Sequence, residues 1–374
     1  MRFNLVLCLF LITSVVSATT TTIHGIVKDS ETEEPIPFAH VVIGDIISLS
    51  NMDGEFVIEA HKDLQKPMLQ VSVMGYELSE TDIEDVSKFQ TIMLSPSTVE
   101  LDEVTIVSGR VLMKDVFNRF HLNYEMSRQH MIGYYKEDLH GSDSIYYIAE
   151  GIVDIYIPPN IEYSQTLVSP IKTRKKVFKS IDDQIVFLKG NASDMAKSSI
   201  WRKDSFLSYK NRKNYDFIYS GMEKLGGKDV YIIEFEPINS KGDTSGKIFI
   251  EENSLAVVKL EYHPHIKRNT LWDHVTWTEE FYEKNGIYEL FRVSYDGMWE
   301  DEKKDYNYTA LLVVNETTPA NEIPEQKGLL GENDSFFHEA VEDFSEAFWD
   351  GYNHMKLDLE SVQTLKNQGI SSLY

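Results

Sequence analysis

Between Tyr134 and Val314 the sequence breaks into about ten short runs in which apolar or aromatic residues mostly alternate with polar ones. No other feature limits the fold as much. A strand sends successive side chains to opposite faces, so a period of two gives each run one face for a core and one for water. Val230-Tyr231-Ile232-Ile233-Glu234-Phe235, Lys247-Ile248-Phe249-Ile250-Glu251 and Tyr306-Asn307-Tyr308-Thr309-Ala310 are examples. Gly226-Gly227, Glu252-Asn253 and Asn285-Gly286 separate neighbouring runs at hairpin length, which predicts an antiparallel meander. Its apolar face needs a cover. Leu112, Val116, Phe117, Phe120 and Tyr124 share one side of a helix predicted over Val111–Tyr124. The mixed segment Lys189–Arg212, with Trp201 and Phe206, is expected either to cap a sheet edge or to lie with that helix inside the curved sheet. Residues 111–318 should therefore form a curved, half-barrel-like antiparallel sheet packed on a helix.

The chain starts differently. Met1-Arg2 is positive, Phe3 to Val16 is almost wholly apolar, and Val16-Ser17-Ala18 offers small residues for cleavage, so residues 1–18 read as a secretory signal peptide. The apolar run is shorter than the roughly 20 residues of a membrane helix, and no transmembrane segment is expected after cleavage. Cys8, the one cysteine, lies inside this run and not at a lipoprotein cleavage point. The mature chain would hold no thiol, which excludes disulfides and cysteine catalysis. A net charge of −24 repels phosphate backbones and argues against nucleic acid as a partner.

Residues 19–97 alternate short strands with turn signals. Val41-Val42-Ile43 suits a buried strand, Pro35 and Pro37 suit a strand edge, and Asp53-Gly54 supplies a tight hairpin turn before Phe56-Val57-Ile58. A small antiparallel sandwich is expected. Four segments occur in order: Gly25-Ile26-Val27-Lys28-Asp29, Glu34-Pro35-Ile36-Pro37-Phe38-Ala39, Ser50-Asn51-Met52-Asp53-Gly54-Glu55-Phe56 and Val71-Ser72-Val73-Met74-Gly75-Tyr76. Together they resemble the carboxypeptidase regulatory-like, transthyretin-like β-sandwich. That resemblance implies a non-catalytic module, similar to the one ahead of the plug in TonB-dependent receptors and found in other envelope proteins of Gram-negative bacteria. Leu101-Asp102-Glu103-Val104, in a linker over 98–110, matches a segment that commonly follows it. The rest of the 374-residue chain is too short for a receptor barrel.

Val230 to Glu261 is similar to the paired strands of periplasmic lipoprotein carriers, whose curved sheet implies an acyl cavity; here Tyr147, Tyr231 and Phe249 would line it. In the tail, residues 319–374, Phe337, Val341, Phe344, Phe348 and Trp349 predict an acidic amphipathic helix over Phe336–Tyr352, and Asp358–Asn367 a second, both docked on the sheet.

The sequence carries few signs of chemistry. No histidine is followed by glutamate at the metallocarboxypeptidase spacing, and His338-Glu339-Ala340-Val341-Glu342 has Glu where a zinc motif needs a second His. Asn51-x-Asp53-Gly54 lacks the upstream and closing ligands of a calcium loop, since Leu49 and Ala60 stand there. Gly221 to Lys228 mimics a phosphate loop but reads as a hairpin. His24 and His40 read as structural histidines. His263, His265 and His274, with Glu261 or Asp273, form the one histidine group that could converge on a metal. Lys172 to Lys176 and Lys179 form the one basic run, read as a charged edge strand. No side chain is assigned as catalytic, cofactor-binding or metal-ligating, and no cofactor is expected. The expectation is a non-catalytic binding or assembly protein of the periplasm or periplasmic face of the outer membrane, engaging protein, glycan or lipid. A lipid or lipoprotein carrier and a metal-dependent hydrolase are the alternatives.

Overall fold

The computed structural model describes residues 20–61, 67–97, 108–142, 144–158, 166–179, 192–267, 270–301, 303–320, 330, 334–341, 348–349 and 352–370. The expected signal peptide and most of the linker lie outside them.

Residues 20–97 form the expected sandwich, with one departure from the antiparallel expectation: its first and last strands pair in parallel. One sheet has β1 (Thr20–Asp29) between β4 (Glu55–His61) and β7 (Gln90–Leu94); the other runs β3 (Ile46–Leu49), β2 (His40–Ile43), β5 (Met68–Ser72), β6 (Ser79–Asp82). Alternate residues Ile23 and Val27 of β1 meet Val41, Phe56, Ile58, Leu69 and Val71 in a closed core. Gly25 lies between them because a Cβ there would stand 2.4 Å from the Phe56 ring. Asn51 makes the hairpin turn: its Oδ1 accepts the Asp53 and Glu55 N–H groups, and Gly54 takes φ +73°. No calcium geometry is needed to account for it.

The second unit is one ten-stranded antiparallel sheet, ordered β10-β9-β8-β17-β16-β15-β14-β13-β12-β11. Its strands are β8 (Gln129–Gly141), β9 (Ser144–Ile157), β10 (Leu167–Val177), β11 (Tyr215–Leu225), β12 (Lys228–Pro237), β13 (Thr244–Glu251), β14 (Val257–Pro264), β15 (His274–Lys284), β16 (Ile287–Asp301) and β17 (Lys304–Pro319). The sheet is curved but not closed, with β10 and β11 as edges. Gly226 and Gly227, both at positive φ, make the β11–β12 turn, so the phosphate-loop look-alike is a hairpin. Gly246 lies so close to β14 that a Cβ would stand 2.1 Å from the Glu261 carbonyl. Gly246→Ala is expected to lower stability by about 1–3 kcal/mol, measured by urea denaturation.

The inner face is filled. Helix α1 (Gly109–Asn123) presents Leu112, Met113 and Val116, and the Tyr124 hydroxyl donates to the Val257 carbonyl at 2.7 Å. The segment from 192 to 215, which includes α2 (Ala192–Met195), takes the second of its two expected places, inside the curved sheet beside α1, and does not cap an edge. It carries Ile200, Trp201, Phe206 and Leu207 onto the same face, with Phe206 stacked on Phe235 at 4.3 Å. The buried Glu279 carboxylate fastens it by accepting from the Ser198 and Ser199 hydroxyls and the Ser199 N–H, while Tyr262 donates from the sheet. A polar anchor explains why this apolar segment could be mistaken for a cap: its buried serines look like loop residues.

The outer face carries the sandwich and the tail. Val42, Ile47 and Leu49 of the sandwich meet Tyr134, Ile152, Phe291, Leu311 and Val313 of the sheet. Across this contact His40 Nε2 lies 3.1 Å from Glu280, which also accepts two bonds from Arg292. Among the described residues the long acidic helix expected over Phe336–Tyr352 is broken after its first turn, and Phe344 of its stripe lies outside them. Helix α3 spans only Phe336–Glu339 and ends where Ala340 turns extended at ψ 142°. The two ends of the expected apolar stripe then go to opposite faces, Phe336 and Phe337 inward and Phe348 and Trp349 outward. The second predicted helix is present as α4 (Leu359–Asn367), N-capped by Asp358. Its Leu365 packs with Ile145 and Ile148 of β9.

Candidate functional site

Register decides what the outer face offers. In β15, β16, β17 and β8 the outward residues line up in cross-strand rows. The row under the sandwich is Glu280–Arg292–Val313–Tyr134, followed by Thr278–Ser294–Leu311–Lys136. Beyond it come Thr276–Asp296–Thr309–Asp138 and His274–Met298–Asn307–His140. The same pleat thus changes within four rows from an interface to a field of hydroxyls, amides and ionisable groups.

Those polar rows are the floor of a cavity of about 780 Å³. Phe38 and the turn Asn51-Met52-Asp53 of the sandwich form one wall, and Met355, Asp358 and Glu360 of the tail form another. The walls are tied together: Asn51 Nδ2 donates to the Leu357 carbonyl at 3.1 Å, and Asp53 accepts the Leu359 N–H at 2.6 Å. The size falls within the range of small-ligand sites. No family-level motif marks the cleft, because its residues come from six elements far apart in sequence. The one signal in the sequence is the run of Thr, Ser and Asn at alternate positions of β15, β16 and β17.

Charge in the cleft is largely self-paired. Lys136 Nζ stands 2.7 Å from Asp138 and 3.5 Å from Asp358. Burial opposes the Asp138 charge, but Lys136 and His140 outweigh it and hold the carboxyl well below its usual range. Burial also opposes charge on His140, yet the Asp138 contact leaves its pKa raised. Arg292 is held by Glu280 and lies over the Phe38 ring at 4.3 Å. Asp296 differs. One of its oxygens accepts from Asn307 at 2.9 Å, and half-burial raises its pKa against the smaller opposing effects of that bond and of His274.

The histidine group is only partly assembled. His263 and His274 meet at ring centroids 5.2 Å apart and share the Thr276 hydroxyl, each at 3.1 Å. His265 does not join them, and among the described residues no cluster of three or more His, Asp or Glu has metal-binding geometry. The basic run lies on edge strand β10, where much of its charge is engaged. Arg174 is buried against Glu150, Lys175 Nζ donates to the Phe337 carbonyl, and Lys172 and Lys179 lie over Phe348 and Tyr146. His40 is satisfied by Glu280, as expected of a structural histidine. Of the residues expected to line an acyl cavity, Tyr147 is buried against Phe337 at 4.3 Å and Phe249 is buried in the inner core. Tyr231 donates to Glu252.

Residues 23–106 match the CarboxypepD_reg-like domain, so the sandwich is a carboxypeptidase regulatory-like module. No curated protein matches the chain. Among solved structures, a domain from Vibrio parahaemolyticus assigned to outer-membrane lipoprotein sorting is 10% identical. That alignment covers 58% of this chain and 94% of that one, with a TM-score of 0.29. A LolA superfamily protein from Nitrosomonas europaea is 12% identical, covering 59% and 96%, with a TM-score of 0.27. Likeness at these scores transfers no function.

Proposed function

We propose that this protein is a non-catalytic, exported envelope protein that binds a saccharide in the cleft between the sandwich, the outer face of the sheet and the tail. One observation carries the reading: the cleft floor presents hydroxyls and amides from three adjacent strands, and the charges beside them are mostly engaged with one another. The floor is the face of a sheet, whose backbone groups are used in the ladder, so a peptide could not add as a strand there. Recognition falls to the Thr278 and Ser294 hydroxyls, which can donate and accept, and to the Thr276, Asn307 and Thr309 oxygens, which can accept while those side chains hold their own partners. Met52 and Met298, both exposed at the cleft, can adapt to the C–H faces of a sugar ring. A carrier would hold an acyl chain on the inner face, which among the described residues is packed with α1 and the 192–215 segment.

The reading is tested by calorimetric titration of the purified protein with envelope-type oligosaccharides. Ser294→Trp would fill the floor from a half-buried position. It is expected to weaken binding by about tenfold or more while leaving the melting temperature nearly unchanged. Binding by the variant equal to that of the parent protein would place the ligand elsewhere.

A further inference from the structure

Resting on that reading, we infer that the cleft prefers a saccharide carrying a free amine, and that Asp296 is the residue that selects it. Most charges in the cleft are already matched. Lys136 is shared between two carboxylates, Arg292 is doubly bonded to Glu280, and His140 is paired with Asp138. An anionic ligand would have to displace one of these partners. The Asp296 carboxylate has a neutral amide on one oxygen. It stands in the middle of the floor, with Thr276 and Thr309 directly across on either side. Glu360, exposed on the tail wall, adds to the negative potential.

Burial makes the ionised form of Asp296 unfavourable in the empty cleft, as its raised pKa reflects. An ammonium group placed there would replace the lost solvation with a charge-assisted hydrogen bond, flanked by the Thr276 and Thr309 oxygens, which can accept from neighbouring sugar hydroxyls while bonded to the histidines and to Asp138. This carboxylate therefore costs stability when the cleft is empty and is matched when an amine arrives. A carboxylate retained only for structure would behave in the opposite way.

The test uses three β-1,4-linked tetrasaccharides matched in length: the glucosamine, N-acetylglucosamine and glucose oligomers. They are titrated at neutral pH into the whole protein, Asp296→Asn and Asp301→Asn. Asp301 is exposed and lies away from the cleft lining, so its variant controls for general attraction to a protein of charge −24. The parent protein should bind the glucosamine oligomer about tenfold or more tighter than the other two. Asp296→Asn should abolish that preference, retain the weaker binding of the neutral oligomers, and melt at an equal or higher temperature. Asp301→Asn should keep the preference. Equal binding of all three oligomers by the parent protein overturns the inference while leaving the saccharide reading intact. So does a preference that survives in Asp296→Asn or falls equally in Asp301→Asn. Binding of none of the three overturns both.

Discussion

Arg292→Ala should destabilise the protein by about 3–5 kcal/mol, because it leaves the Glu280 carboxylate buried without its principal partner. Arg292 donates Nε and Nη2 to Glu280 at 3.0 and 2.8 Å, and its guanidinium lies over Phe38 of the sandwich. His40, also from the sandwich, reaches the same carboxylate, so the Glu280–Arg292 pair of the sheet contacts the other unit twice, through His40 on Glu280 and Phe38 on Arg292. Burial opposes ionisation of Glu280, but Arg292 and then His40 more than compensate, leaving its pKa well below the usual range. A depressed folded pKa gives stability that is fully present above the unfolded value, near 4.3, and lost as pH falls through the folded one. Replacing both partners, Glu280→Gln with Arg292→Met, should cost much less than either change alone, since no unmatched charge remains. Urea denaturation followed by tryptophan fluorescence reads this out on the sheet side, because Trp201, Trp272, Trp277, Trp299 and Trp349 all lie outside the sandwich. A single-variant loss below about 1 kcal/mol would show that the network does not fasten the two units.

Trp349→Ala should cost a similar amount, about 3–5 kcal/mol, for a different reason. The indole sits against Tyr134 at 5.6 Å, stacks on His354 at 4.8 Å and lies 4.7 Å from the Arg174 guanidinium. Arg174 is fully buried and bonded to Glu150 at 2.7 Å, so removing the ring exposes an ion pair to a void or to water. Trp349→Phe keeps part of the packing and should recover much of the loss. A pH signature accompanies the change. Burial pushes the His354 pKa down to about 4. Its neutral form therefore contributes stability present above pH 6.5, the unfolded value, and lost on acidification through pH 4. The full effect is on the order of 3 kcal/mol. With the tryptophan gone, His354 should titrate nearer its ordinary value and the loss between pH 6.5 and 4 should shrink, as followed by the histidine ring resonances and by stability at each pH.

Much of the architecture was legible because period and turn chemistry are local. The sandwich follows from Asp53-Gly54 and the β-branched runs, the meander from alternation broken by Gly226-Gly227 and Asn285-Gly286, and α1 from the spacing of Leu112, Val116 and Tyr124. The tail was misread where a helical spacing of aromatics, Phe337 to Trp349, served two different faces and not one. The candidate cleft was not legible at all. Thr276, Asp296, Thr309 and Asp138 lie in four strands, and only the register of three strand pairs brings them into one row. Sequence distance hid Glu280 and His40 in the same way, since 240 positions separate them.

The pairing of β8 with β17 joins Asp138 to Thr309, 171 positions apart, and divides the ten-stranded sheet into three strands on one side and seven on the other. Strands β11 to β16 can zip up as successive hairpins while the chain is still emerging, but β8, β9 and β10 have no route into that sheet until β17 exists. Loop closure on this scale makes folding slow and leaves two unequal apolar sheets with open edges in the interval. A chain built this way completes its core only after nearly all of its length is available.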